Sequence, residues 1–368
     1  MILATPGPVE IPLFVRETFL QETIHHRTPE FKEILIDTLN RFKTLTHLPN
    51  ALFLSSSGSG AMEAAVINIV KKKALTVNAG KFGERWGKIA KAHSIAFKEL
   101  KYDWNTPASV DDVIAAIKED KEIDSVFIQI SESAGGLRHP VEDIAAEIKL
   151  INSNIMVVAD GITALGVEDI DTANIDVIIG GSQKAFMLPP GLAMVAMSEE
   201  AVERIGSGRG FYFNLANELK KQKEGSTAFT PATSLIIALR EVLKKLEEIG
   251  LENHYNNTAL RHKAMLSSLE AIGLSIYPQN SALSMAAVYF DQADELRKIL
   301  KTDYGVNVAG GQDFMKGKLF RINNMGIIED YKMTHILNGI ELALEKLGVR
   351  QYDATAVKVY SNEKLKTL

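Results

Sequence analysis

The chain has no cysteine in its 368 residues. That absence excludes disulfides, thiolate–metal sites and a cysteine nucleophile, and it argues against a small secreted fold held by staples. No apolar run reaches about 18 residues, the length a helix needs to cross a bilayer. No basic stripe is interleaved with aromatics, and the formal net charge is -5, so neither nucleic acid nor a membrane is expected as a partner. The opening Met1-Ile-Leu-Ala-Thr-Pro-Gly-Pro8 has neither the basic start nor the apolar core of a secretion signal. A cytoplasmic protein is the expectation. Hydrophobic residues at 46% and charged residues at 24% give the balance of a globular chain, and 368 residues exceed what one core usually covers. An N-terminal segment with a large domain over residues 1–240 and a smaller domain over 241–368 are expected.

What is present centres on Ile175-Asp-Val-Ile-Ile-Gly-Gly-Ser-Gln-Lys184 and the Ala-Phe-Met-Leu-Pro-Pro-Gly191 that follows. Two apolar runs of strand length, Ile175 to Ile179 and Leu192 to Met197, flank a glycine- and proline-punctuated turn. Lys184 sits in that turn among small and apolar neighbours. Such a setting disfavours the ammonium form, and a neutral amine is a nucleophile toward carbonyl carbon. Alone, such a lysine is more often a plain loop residue. The rest of the chain decides.

Strands alternate with helices from Ala51 to Met197, which predicts a mainly parallel sheet covered on both faces. Ala51 to Leu54 is a strand, Ser55-Ser-Ser-Gly-Ser-Gly60 a small polar loop, and Ala61 to Val70 a helix. Free backbone N–H groups, the helix dipole and serine hydroxyls converge there on an anion. Phe82 follows the strand Ala74 to Asn78, and Ser133 follows Asp124 to Ile130. Asp160 ends the strand Ile155 to Asp160, where a buried carboxylate needs a cationic or N–H partner. Arg321 lies on a C-terminal strand, Leu319 to Ile322, as a candidate carboxylate clamp. A helix is predicted over residues 12–22. The adjacent His25 and His26, with Arg27, lack a third ligand at metal spacing. The tail after Val349 reads as polar, either mobile or wrapped on a partner.

An anion loop, an aromatic, a serine, a carboxylate and an amine at strand ends of one sheet match one ligand. It has a phosphate, a flat ring with a protonated nitrogen, a phenolic oxygen and an aldehyde: pyridoxal phosphate. A carboxylate keeps the ring nitrogen protonated so that the ring accepts electrons, and a lysine holds the aldehyde and then shuttles a proton.

In these motifs the sequence resembles the class V, fold-type I pyridoxal-phosphate aminotransferases, near the alanine–glyoxylate and serine–glyoxylate (serine–pyruvate) group. The strongest match is Gly181-Ser-Gln-Lys-Ala185 with Pro189-Pro-Gly191, then Ser57-Gly-Ser-Gly-Ala-Met-Glu-Ala64 and Ala159-Asp-Gly161. Weaker ones are Gly80-Lys-Phe-Gly-Glu-Arg85, Glu132-Ser-Ala-Gly135 and Phe229-Thr-Pro-Ala232. The resemblance implies a large domain with a seven-stranded, mainly parallel sheet and a smaller α+β domain. It implies that Lys184 forms the Schiff base, that Asp160 pairs with the ring nitrogen, and that Ser57, Gly58, Ser59 and Gln183 hold the phosphate. Thr230 adds a contact from the other subunit of a homodimer. Phe82 stacks on the ring, Ser133 lies near its phenolic oxygen, and Arg321 binds the substrate carboxylate with Gly7 close by. The implied activity is ping-pong transfer of an amino group from alanine or serine to glyoxylate or pyruvate. Ser59, where relatives often carry histidine or threonine, Gln129 in place of a histidine, and Phe229, which lacks a tyrosine hydroxyl, depart from the pattern. Arg138 reads as a surface charge rather than part of a substrate pocket. The alternatives are another class V chemistry, such as phosphonate-substrate transamination or a lyase reaction, and a non-catalytic relative serving in a complex. A cysteine desulfurase is excluded by the absent cysteine.

Overall fold

The computed structural model describes residues 1–365. Seven strands form the main sheet: β1 (Asn50–Leu54), β2 (Lys73–Asn78), β3 (Ala96–Lys101), β4 (Ile123–Gln129), β5 (Met156–Asp160), β6 (Val177–Gly181) and β7 (Ala193–Met197). Their order is β1-β7-β6-β5-β4-β2-β3. All neighbours run parallel except β7, which is antiparallel to both β1 and β6. The expected seven-stranded, mainly parallel sheet is thus observed.

The side-chain period of two sends alternate residues to opposite faces, and both faces are covered. From β5, Val157 and Ala159 join the core that contains Phe31, Leu35 and Phe42, while Met156 and Val158 join the core that contains Met62, Val66 and Trp86. The first face is covered by α1 (Pro29–Thr46), whose start is set by Thr28: its Oγ1 accepts the Phe31 N–H at 3.3 Å, and Pro29 needs no N–H partner there. The second face carries α2 (Gly58–Ile69) and α3 (Gly83–Ala92). Trp86 and Phe127 pack at a centroid distance of 5.0 Å, a contact worth about 0.5–1.5 kcal/mol beyond burial.

Beyond the long helix α4 (Thr233–Ile249) a second unit forms. Strands β8 (Ser275–Ile276), β9 (Met285–Tyr289), β10 (Ala309–Gly310) and β11 (Leu319–Asn323) pair antiparallel in the order β8-β9-β11-β10. Helix α5 (Leu251–Ala271) and α6 (Asp330–Lys346) contribute to its core. The first residues of the chain cross to this unit. Ile2 and Leu3 pair in parallel with Val306 and Asn307, and Ala4 lies in the same core.

Two expectations need correction. The N-terminal helix covers only Leu13–Thr18, because beyond it Leu20 points into solvent at 85% exposure and finds no face to bury against. Residues 199–223 carry helices Glu199–Ile205 and Leu215–Lys223, capped by Ser198 and Asn214. The tail is neither loose nor wrapped elsewhere up to residue 364: Thr355–Tyr360 is a helix with Ala356 and Tyr360 buried in the second unit's core.

Candidate active site

A cavity of about 210 Å³ opens at the C-terminal ends of β4, β5 and β6. Open parallel sheets collect ligands at that edge. The turn after β6 supplies Gln183 and Lys184 to its lining. Ser182 folds this turn back on itself: its hydroxyl donates to the Pro189 carbonyl at 2.7 Å and accepts the Leu192 N–H at 3.2 Å. Lys184 is buried, and its Nζ donates to the Pro6 carbonyl at 2.7 Å. Burial pulls its amine down to about 8, assisted by Arg321 and Arg85 and opposed by Asp160. The turn therefore holds an amine that is neutral in part near pH 8.

Asp160 faces the same space from the tip of β5. Its Oδ1 accepts the Ile162 N–H at 2.9 Å. Burial pushes the carboxyl up to about 6, against the pull of that N–H and of Arg85 and Lys184. A cationic ring nitrogen would oppose the burial cost in the way a buried carboxylate requires.

Ser57, Gly58 and Ser59 line the cavity where β1 passes into α2. Ser57 stands at the N-cap position, yet its side chain makes no capping hydrogen bond. The first turn keeps donors free for an anion. Gly58 is required by packing, since a Cβ there would lie 2.3 Å from Ile162 Cδ1. Two buried side-chain oxygens, Ser131 Oγ and Gln183 Oε1, have no hydrogen-bond partner. Ser131 and Gln183 both line the cavity. Buried polar groups without partners are costly and ask for a ligand. An anion turn, an amine, a carboxylate and orphaned polar atoms in one space fit a phosphate-bearing heteroaromatic aldehyde.

Phe82 lines the cavity from the N-cap position of α3. A residue that the sequence reading assigned no role holds it there. Glu132 is buried and accepts the N–H groups of Phe82 (3.0 Å), Gly83 (2.8 Å) and Ala134 (2.9 Å). Burial pushes its carboxyl up to about 7, against those three N–H groups. Arg85, also without a prior role, lines the cavity and donates to Ser59 Oγ at 2.8 Å. Thr163 and Ile162 complete the wall. The place of Arg85 in the Gly80-Lys-Phe-Gly-Glu-Arg85 motif, three residues past Phe82 on a helix start, is the signal that could have singled it out.

Ser133 belongs to the lining, but Arg321 stands behind it. Arg321 Nη1 donates to the Ser133 carbonyl at 2.6 Å and Nη2 to Gly310 at 2.8 Å, while Nε is buried without a partner. Gly7 abuts the lysine: its φ is +122°, and a Cβ there would lie 2.2 Å from Lys184 Nζ. Thr230 is exposed and outside the cavity, and the Ala232 N–H of its segment is bonded to Ser55 Oγ at 2.9 Å. His25, His26 and Arg27 precede α1 on the surface side, outside the lining.

Arg138 is not a surface charge. Its side chain is only 15% exposed, and it bridges Glu142 at 2.6 Å and Glu168 at 3.0 Å. A larger cavity, about 510 Å³, lies between the N-terminal segment and residues 323–336, and none of the candidate site residues lines it.

The Aminotransferase class-V family matches residues 17–326. The chain is 48% identical over 358 residues to an uncharacterized aminotransferase of Helicobacter pylori, covering 97% of each. It is 27% identical over 384 residues to the serine–glyoxylate aminotransferase of Methylorubrum extorquens, covering 98% of this chain and 95% of that one. Among solved structures, the subgroup IV aspartate aminotransferase of Thermus thermophilus superposes with a TM-score of 0.88 at 30% identity, covering 94% of this chain and 99% of that one. The chain belongs to the class V aminotransferases and is a fold-type I enzyme that works with pyridoxal phosphate.

Proposed function

We propose that this aminotransferase moves the amino group of a small donor, alanine or serine, to glyoxylate or pyruvate by a ping-pong cycle. The observation that carries the reading is the shared cavity of Lys184 and Asp160, with Arg321 suspended beside it from Ser133. When bound, the cofactor supplies an electron-accepting ring that stores the amino group between half-reactions. Ser57, Gly58, Ser59 and Gln183 would hold its phosphate, Asp160 its ring nitrogen, Phe82 and Ser133 its ring, and Lys184 its aldehyde. Lys184 Nζ then moves the proton at the substrate Cα, a task suited to an amine drawn down to about 8. Arg321, with Gly7 beside the lysine, orients the substrate carboxylate through the guanidinium edge that has an unpartnered Nε.

The active unit in this reading is a homodimer in which Thr230 faces the partner's cofactor site. Exposed Thr230 and the aromatic cluster of Phe211, Tyr212 and Phe229 beside it, with Phe211 84% exposed, support that arrangement. A cytoplasmic location is part of the same proposal and suits a chain without cysteine. The test is spectroscopic. Alanine or serine alone should bleach the visible band of the holoenzyme, and glyoxylate or pyruvate should restore it. Bleaching only by a dicarboxylic or phosphonate donor, or irreversible bleaching, would replace this reading with another class V chemistry. Light scattering should return twice the mass of the chain; a monomer with full activity would contradict the shared site.

A further inference from the structure

One cation in the cavity has no part in the roles above. Arg85 lies in the first turn of α3, three residues past Phe82. Its Nη1 donates to Ser59 Oγ at 2.8 Å, and its Cζ stands 4.8 Å from the centre of the Phe82 ring. It pairs with no carboxylate among the described residues. A guanidinium carries five N–H donors in a planar fork, and one bond to a serine leaves most of them unused. Ser59 fixes where the fork lies: it belongs to the turn at the start of α2, whose free N–H groups already favour an anion.

We propose that Arg85 is a further ligand of the cofactor phosphate, brought to it by Ser59. The inference rests on reading Ser57, Gly58 and Ser59 as the phosphate turn. Arg321 is the contrasting case, because backbone carbonyls at Ser133 and Gly310 hold it away from that turn. The two arginines thus divide the anionic groups between them. Arg85 faces the phosphate that stays, and Arg321 the carboxylate that comes and goes. The Phe82 ring, 4.8 Å from the guanidinium carbon, holds Arg85 against one wall, and the serine hydroxyl sets its position along that wall.

The experiment compares two ligands that differ only in the phosphate. Full-length apoprotein is titrated with pyridoxal phosphate and, separately, with pyridoxal, following quenching of tryptophan fluorescence. Arg85→Gln should raise the Kd for pyridoxal phosphate about tenfold or more, as expected for a lost charge-assisted bond, and leave the Kd for pyridoxal within about twofold. Equal losses for both ligands would assign Arg85 to packing alone and overturn the proposal, as would no loss for either. If Arg85→Gln does not fold, Arg85→Lys carries the test: the preference for the phosphorylated ligand should fall several-fold, and an unchanged preference would overturn it. Because the readout is cofactor binding, it stays separate from the choice of donor and acceptor.

Discussion

The amine of Lys184 donates to the carbonyl of Pro6, 178 positions earlier in the chain, at 2.7 Å. The N-terminal segment thus lies over the lysine as a strap. It is tied to the second unit through the Asn323 N–H to the Ala4 carbonyl and to the lysine turn through the Val9 N–H to the Gln183 carbonyl, at 2.9 and 3.2 Å. Gly7 is the point of closest approach, and its positive φ and lack of a Cβ both matter there.

Gly7→Ala should therefore disable the site without unfolding the protein. The strained backbone costs about 1–3 kcal/mol, and the new methyl competes with the lysine for one volume. Uptake of pyridoxal phosphate, followed by the visible band, should slow or weaken by at least about tenfold, with the thermal midpoint lowered by a few degrees only. Uptake at the native rate would show that the strap does not press on Lys184.

The amine's depressed titration gives a kinetic expectation. Lys184 attacks only when neutral, and burial draws it down to about 8. The rate at which apoprotein takes up pyridoxal phosphate should rise with pH and level off above about 8. A rise continuing toward the ordinary lysine range would mean that the amine is solvated rather than buried.

Asp160 and Glu132 give an expectation for stability. Burial raises both, to about 6 and about 7, from ordinary values of 3.8 and 4.5. The unfolded chain therefore releases these protons first as pH rises. Their contribution is full below about pH 4 and is lost as pH passes through 6 and 7. Lys184 acts in the other direction, but its penalty develops as pH falls from the ordinary lysine range through about 8 and changes little lower down. Buried His139 and His262, drawn down to about 3 and about 4, act in the opposite sense over this range, gaining stability as pH rises toward 6.5. The test is therefore a difference between variants: Glu132→Gln should remove part of the wild-type loss of stability between pH 5 and pH 7. A midpoint difference between wild type and Glu132→Gln that stays constant over the same interval would show that the Glu132 carboxyl is not held in its neutral form.

Arg321 should separate substrate binding from cofactor binding. Replacing it with Gln would remove the proposed carboxylate clamp and leave the Lys184 turn in place. KM for the amino donor should rise by about 10–100-fold, the range of one charge-assisted bond, with the visible band unchanged. Loss of the band together with the rise in KM would assign Arg321 a structural role through Ser133.

Much of this geometry is legible in the sequence because it lies at strand ends. Asp160, Lys184, Phe82 and the serines of the α2 turn each follow an apolar run that stops at a glycine, proline or small polar residue, and the topology brings them to one edge. Glu132 and Arg85 are not legible in that way. Glu132 earns its place by accepting N–H groups from a different strand–helix junction, and Arg85 by the direction of one helical turn. Arg138 is legible in part: Glu142 is four residues on, at the start of the next helix, while Glu168 reaches it from a distant loop. The helix Thr355–Tyr360 is too short to display a period; burial of Ala356 and Tyr360 defines it, with Glu341 of α6 accepting the Thr355 and Ala356 N–H groups.

The central claim is that one lysine carries the cofactor in this cavity. Reducing the holoenzyme with borohydride fixes the cofactor to the amine that holds it, and peptide mass spectrometry then identifies that residue. The account predicts a single pyridoxyl adduct on Lys184, absent from Lys184→Ala. An adduct on any other lysine, with Lys184 unmodified, would contradict it.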